Sequence, residues 1–350
     1  MAVQKSVSLK EVADKAGVSI ATVSRVINSK TVVKGETELR VQKVIRQLGY
    51  RPNRVAQRLR TTKGASKLIG LLIPDIRNPF YVDIIRGIEQ YAYARNFAVI
   101  IGNFSQDEER QKFYIETLKS ESVDAFIVAP FPGMNEYVKE LSEEGYAVVC
   151  IDRGLPGVDL DVVKVDNFQG AFDAVEHLIR AGHTRIGHIT GNRQIPTTME
   201  RVAGYEAAYA RYGLAIDRDI IVGRDSDYQS GVDLAAHLLG LPGPPTALFT
   251  SNNLLTLGAL ETIHSRGLKI PEQVAIVGFD DMDWAMSLNP PLTAVRQSGF
   301  EIGRIAIELL HQRIADPARP FVSIVLKTEL IVRNSCGYML RGGYEVHKDS

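Results

Sequence analysis

From residue 66 onward the chain repeats a pattern that few folds can satisfy. Short apolar runs alternate with longer amphipathic stretches: "KLIGLLIP", "FAVIIG", "VDAFIVAP", "YAVVCID", "RIGHITG", "TALFTSN" and "VAIVGFDD". Runs this rich in Val, Ile and Leu suit strands covered on both faces. Separated by helices, they specify βαβ units and parallel sheets. The first intervening stretch places Phe80, Ile84, Ile88 and Ala92 on one helical stripe. The segments opening at "VDAFIVAP" and "PTALFTSN" look like counterparts. The region holds about 275 residues, which favours two α/β lobes over one sheet.

In parallel sheets, ligands bind outside the carboxyl ends of the strands. The polar residues directly after the apolar runs are Asp75, Asp152 with Arg153, Gly191 with Asn192, Asn252 with Asn253, and Asp280 with Asp281. Carboxylates and amides suit hydroxyl groups, and arginine is a rigid donor. Any one of these aspartates could simply cap the following helix. Together they point to a cleft for a polyhydroxylated ligand such as a sugar.

The net charge of zero conceals an asymmetry. Residues 1–65 hold 14 Lys or Arg against 4 Asp or Glu, a balance of +10, and the remainder has a balance of −10. A basic head on an acidic body suits a polyanionic partner. Within the head, Ser8 and Glu11 have capping-box spacing. Leu9, Val12, Ala13 and Ala16 then fall on one helix face, and Gly17 suits the C′ position. Ser19 can cap a second helix from Ile20 to about Asn28. A third runs from about Glu36 to Leu48. Two short helices joined by a Gly-containing turn form a helix-turn-helix unit. In such a unit the N-terminal part of the second helix meets base edges in the major groove. Arg25 can make a bidentate contact to guanine, and Ile20 and Ala21 can touch thymine methyls. Ser19, Thr22, Ser24 and Asn28 suit phosphate contacts, which fix register.

"PNRVAQRLR" (52–60) reads as a helix capped by Asn53, yet at about two turns it is too short to stand alone. Its partner must come from outside. "TTKGAS" (61–66) is then a polar connector.

The stretch "SLKEVADKAGVSIATVSRVIN…LGYRPNRVAQRLR" closely resembles the head and hinge of LacI/GalR-family transcription regulators, and the resemblance extends over residues 7 to 340. It implies an all-α helix-turn-helix head (1–51), a hinge helix and linker (52–65), and an α/β two-lobed, periplasmic-binding-protein-like (type I) body with parallel sheets (66–340). The implied lobes are about 66–165 with 297–325, and about 166–296 with 326–340. A polar tail, 341–350, follows without leucine heptads, so a homodimer is the expected assembly. The resemblance further implies that the paired hinge helices fold on a near-palindromic double-stranded operator. Leu59 would then wedge into the central base step, with Arg54, Arg58 and Arg60 beside phosphates and Asn53 and Ala56 also at the DNA. An apolar wedge of this kind costs a few kcal/mol of unstacking, offset by contacts to the bent duplex. In the body it implies effector contacts from Asn78, Phe80, Asp152, Arg201, Asn252, Asp280 and Gln297, with Trp284 either stacking on a sugar ring or packing near the cleft mouth; Asp75 and Arg153 join this expected site from the strand-end reading. Where some sugar-binding members carry an aromatic residue, just before "DYQSG", this chain has Ser226.

Other functions are disfavoured. The chain has no G-x-S-x-G, H-E-x-x-H, P-loop or G-x-G-x-x-G motif, so no catalytic residues, metal or cofactor are expected. Cys150 and Cys336 are the two cysteines, too few for a disulfide framework. The apolar runs are too short to span a bilayer and residues 1–16 do not resemble a signal peptide, so a cytoplasmic location without membrane contact is expected. The expected function is a DNA-binding repressor controlled by a sugar-like effector. Two variants stay open: a protein co-regulator, as Ile20-Ala21 resembles the catabolite-control branch, and a nucleoside or purine effector.

Overall fold

The computed structural model describes residues 7–28, 35–48, 50 and 66–337. It divides into two compact units, with the boundary at Ser66–Lys67. The segment 52–65 and the tail 341–350 lie outside the described residues.

The N-terminal unit contains α1 (Leu9–Ala16), α2 (Ile20–Asn28) and α3 (Gly35–Leu48). The capping box forms as its spacing predicts: the Glu11 amide donates to Ser8 Oγ at 3.2 Å, and the Ser8 amide donates to Glu11 Oε2 at 2.6 Å. Gly17 ends α1 at φ +63°, a left-handed conformation that glycine adopts without a Cβ clash. Val12, Ala13, Ala16, Val23, Val41 and Val44 are buried together, which holds the three helices as one small core.

The second unit has two lobes built on one plan. The first carries β1 (Leu68–Ile73), α4 (Pro79–Tyr93), β2 (Ala98–Asn103), α5 (Glu108–Ser120), β3 (Ala125–Val128), α6 (Asn135–Glu143), β4 (Ala147–Ile151) and β5 (Asp161–Val165). The second carries α7 (Asn167–Arg180), β6 (Ile186–Thr190), α8 (Pro196–Arg211), β7 (Ile221–Gly223), α9 (Tyr228–Leu239), β8 (Ala247–Thr250), α10 (Asn253–Ser265), β9 (Ala275–Phe279) and β10 (Thr293–Arg296). The chain then returns through α11 (Gly299–Ala315) and β11 (Ser323–Leu326) and ends with β12 (Glu329–Ile331). The strand orders are β11-β5-β4-β3-β1-β2 and β12-β10-β9-β8-β6-β7. All pairings are parallel except β10 with β12.

The expected apolar runs all become strands, and β1, β3, β4, β6, β8 and β9 are fully buried. "FAVIIG" departs from a two-face-covered strand: β2 is a sheet edge, and Ile100 and Ile101 are exposed. Chain passes between the sheets lie at Asp166, at Gln297–Ser298 and at Lys327–Thr328. The Asp166 amide donates to Leu326 O at 2.9 Å, tying the first pass to the third. The return helix α11 packs against α4 through glycines. A Cβ at Gly303 would stand 2.2 Å from Ile84 O, and one at Gly87 would stand 2.2 Å from Phe300 O. The two backbones therefore touch, which fixes how the returning segment sits in the first lobe.

Candidate ligand cleft and nucleic-acid interface

The carboxyl ends of both sheets open into one cleft. Its lining takes Asp75, Asn78, Phe80, Asp152 and Arg153 from the first lobe, Arg201, Asn252 and Asp280 from the second, and Gln297 from the second pass. About 50 Å³ is left between these side chains. Each lobe supplies one aspartate from the same topological station. Asp152 follows β4 at φ +66°, Asp280 follows β9 at φ +81°, and both have reached the left-handed region. Their amides remain in the sheets, donating to Val163 O and Val295 O at 2.9 Å each, so the turn of the backbone aims the side chains into the gap.

The two aspartates are held differently. Asp152 is neutralised within its own lobe: Arg153 donates Nε and Nη2 to Asp152 Oδ2 at 2.8 and 2.5 Å, and Tyr81 donates its hydroxyl to the same oxygen at 3.0 Å. Burial, with the carboxylate beside it, pushes the Tyr81 hydroxyl far above its ordinary value, so Tyr81 stays a donor. Among the described residues no arginine is bonded to Asp280. It accepts from Gln297 Nε2 and, at 3.2 Å, from the Asn253 amide. Burial raises its pKa, and the field of Arg201, Gln297 and the Asn253 amide works against that rise.

Arg201 is sandwiched and pinned. Its guanidinium lies 3.7 Å over the Phe279 ring, Nε donates to Asn167 Oδ1 at 2.9 Å, and Nη1 donates to Ser251 O. Burial lowers its pKa, against the pull of Asp280 and Asp152. Asn78 caps α4, accepting from the Phe80 amide at 2.9 Å. The same Oδ1 accepts from Asn253 Nδ2 at 2.8 Å, a direct bond between the lobes. Asp75 is paired with the outward-lying Arg77 at 2.8 Å.

Three of the polar residues expected at the strand ends serve elsewhere. Asp281 pairs with Arg333 at 2.6 Å and Arg296 at 2.8 Å. Asn192 accepts from the Gln194 amide in the turn after β6. Asn253 bridges to Asn78 instead of lining the cleft. Trp284 also stands outside the lining. It sits in a 3-10 turn and is half-buried against the second lobe's core, which takes part of its large apolar surface out of water. The cleft adds residues that sequence reading passed over: Tyr81, Gln106, Thr197, Thr198 and Ser251. Thr197 and Thr198 had a usable signal, since they open the helix after a strand end.

In the head, Ser19, Ile20, Ala21 and Arg25 are exposed along the start of α2, while Thr22 and Ser24 are half-buried. Ser19 Oγ accepts from the Thr22 amide at 3.1 Å and lies 2.9 Å from Thr22 Oγ1. The start of α2, the part that such a unit offers to base edges, thus presents Ile20 at 41% exposure with Arg25 exposed one turn on. Asn28 lies in α2, with its side chain outside the described residues, as are Asn53, Arg54, Ala56, Arg58 and Leu59.

A basic three-helix head joined to a two-lobed α/β body with a polar cleft defines a ligand-responsive DNA-binding regulator. Two family models match: bacterial regulatory proteins of the lacI family over residues 8–53, and the periplasmic binding protein-like domain over 175–336. The chain is 34% identical to the HTH-type transcriptional repressor CytR of Escherichia coli over 336 residues, 95% of this chain and 97% of the relative. It is 35% identical to catabolite control protein A of Priestia megaterium over 306 residues, 87% and 92% of the two chains. The lac repressor dimer bound to operator and the anti-inducer ONPF matches with a TM-score of 0.80 at 26% identity, over 95% of this chain and 99% of that one. The chain belongs to the LacI family of transcriptional regulators.

Proposed function

We propose that this protein is a homodimeric, cytoplasmic repressor whose operator affinity is set by a neutral, polyhydroxylated effector, a sugar or sugar derivative, held between the lobes. The observation that supports this most is the charge balance of the cleft. Asp75 has Arg77 and Asp152 has Arg153, while Arg201 faces Asp280. Three aspartates thus stand against three arginines, and Arg201 already spends donors on Asn167 Oδ1 and Ser251 O, so the cleft has no surplus of positive charge to favour a phosphate or a sugar acid. Hydroxyls, by contrast, need acceptors and amides. Asp280 supplies the acceptor, and Gln297 Oε1 is buried without a protein partner. Phe80 offers one ring as a stacking wall, while Ser226 in the lining is too small to sandwich a nucleobase.

A molecule touching Asp152 and Asp280 together bridges the lobes and biases their closure. Transmitted to the heads of a dimer, a coupling of about 1–3 kcal/mol changes operator affinity by about 5–150-fold. The test is a melting series with neutral sugars, sugar phosphates, sugar acids and nucleosides. A neutral sugar at 100 times its Kd should stabilise by about 2.7 kcal/mol. A shift with sugar phosphates alone would refute a neutral ligand. No shift with any compound would give the input to a protein co-regulator.

A further inference from the structure

We infer that Glu200 is a positioning residue that joins lobe closure to the aim of Arg201, with Lys164 as its counterpart on the opposite lobe. The inference rests on the reading of Arg201 as an effector contact. Lys164 belongs to β5 of the first lobe and Glu200 to α8 of the second. Their ion pair, Nζ to Oε1 at 2.8 Å, spans the lobes beside the cleft. The other carboxylate oxygen, Oε2, accepts from Asn167 Nδ2 at 3.0 Å. Asn167 Oδ1 accepts from Arg201 Nε at 2.9 Å. One continuous chain of polar contacts thus runs from the first lobe, through the first pass, to the guanidinium in the cleft.

The carboxylate does two things here. It fixes which way the Asn167 amide points. An amide turned over would present its NH₂ to Arg201 Nε, two donors facing each other. Nδ2 donates to Glu200 Oε2 at 3.0 Å and, more weakly, to Val165 O at 3.3 Å; with the carboxylate as the shorter and charged acceptor, the carbonyl faces Arg201 and sets the tilt of its fork over Phe279. The carboxylate also senses the distance to the first lobe through Lys164. The pair is about 30% exposed on both sides, at 29% and 32%, so water can take over when the lobes part. The pair itself lines a cavity of about 240 Å³, together with Leu155, Pro156, Val158 and Val162 from one lobe and Pro196 from the other, and that cavity shares Asp152 and Arg153 with the cleft. Neither Lys164 nor Glu200 lines the cleft itself, so neither is needed to touch an effector.

The test uses the full-length protein with spin labels on cysteines introduced at the exposed Lys139 and Arg218, one in each lobe, in dimers diluted with unlabelled chain. The native Cys150 and Cys336 are buried and stay unlabelled. Interlobe distances are measured with no sugar present in wild type, Glu200→Gln, Lys164→Met, the double variant, and the charge swap Lys164→Glu with Glu200→Lys. Each single change should lengthen the separation, and the double should lengthen it no further than the larger single. The swap should restore it. Titrations with D-ribose, D-glucose and D-galactose then read the cleft. Glu200→Gln should raise the half-response concentration about tenfold, within the range of such couplings. The swap should not rescue this, because the exchanged ammonium cannot accept from Asn167. An unchanged separation in Glu200→Gln, or single effects that add in the double, overturns the link between lobes. A sugar response that Glu200→Gln leaves unmoved removes Glu200 from the aim of Arg201. If no sugar binds even the wild type, the sugar reading falls while the distances still decide the link.

Discussion

Replacing Asp280 by asparagine isolates the one cleft charge that, among the described residues, has no arginine bonded to it. The backbone at Asp280 stands at φ +81°, where asparagine is among the better-tolerated residues, so the change should leave the turn intact. The size and the bond from the Asn253 amide are also kept. What disappears is the negative charge. A hydrogen bond to a charged acceptor contributes about 1.5–3 kcal/mol, against about 0.5–1.5 for a neutral one. With two sugar hydroxyls on the carboxylate, the loss is about 2–3 kcal/mol, or roughly 30–150-fold in Kd. Asp280→Ala adds the strain of a left-handed alanine, about 1–2 kcal/mol, so its extra cost should appear in the melting temperature. The assay is operator binding by fluorescence anisotropy, titrated with the sugar that gives the largest melting shift. Asp280→Asn should bind operator as wild type does without sugar, and respond at 30–150 times the concentration, on the order given above. An unchanged response would show that the carboxylate does not meet the effector, and the assignment of the cleft would have to be abandoned.

Gly303→Ala should cost about 2 kcal/mol in urea unfolding, because its Cβ would meet Ile84 O at 2.2 Å, and overpacking outweighs the better helix propensity of alanine. Undiminished stability would mean that α4 and α11 can separate freely. Acid should weaken the body through two imidazoles, the buried His188 and the half-buried His177. Burial lowers His188 to about 3 and His177 to about 4. Their folded values lie below the unfolded value near 6.5, so their contribution is complete above pH 6.5 and is lost as pH falls. Between pH 6.5 and 4.5 the pair should remove about 4 kcal/mol, and His188→Phe should halve that slope in a melting-against-pH series. Arg25→Ala should weaken specific operator binding by about 1–3 kcal/mol and relax one base preference; selection from a randomised operator library that returned the wild-type preference would take Arg25 out of base readout.

The fold was largely legible because its signals are local. Val- and Ile-rich runs of strand length, the Ser8–Glu11 spacing and Gly17 each report on their own neighbourhood. The cleft was legible through a single rule, that strand ends carry the ligand groups, and this rule brought Asp75, Asp152, Asn252 and Asp280 together. It failed one residue further along. Asp281 and Asn253 look as good as their neighbours in the sequence, but a one-residue step after a strand turns the side chain away, toward Arg333 or Asn78. Trp284 stayed open because an aromatic side chain lining a cleft and one packed on a core look alike in one dimension; the structure puts it on the second lobe's core. Glu200 and Lys164 gave no signal at all, since their pairing spans 36 positions and depends on how two lobes meet.

The matched stations of Asp152 and Asp280 make the cleft lopsided. Two lobes of one strand order each aim an aspartate from the same left-handed corner. In the first lobe the acid is sealed by Arg153 and Tyr81. In the second it is held by Gln297 and a backbone amide alone. One corner is masonry, and its twin rests on partners that a hydroxyl group can replace.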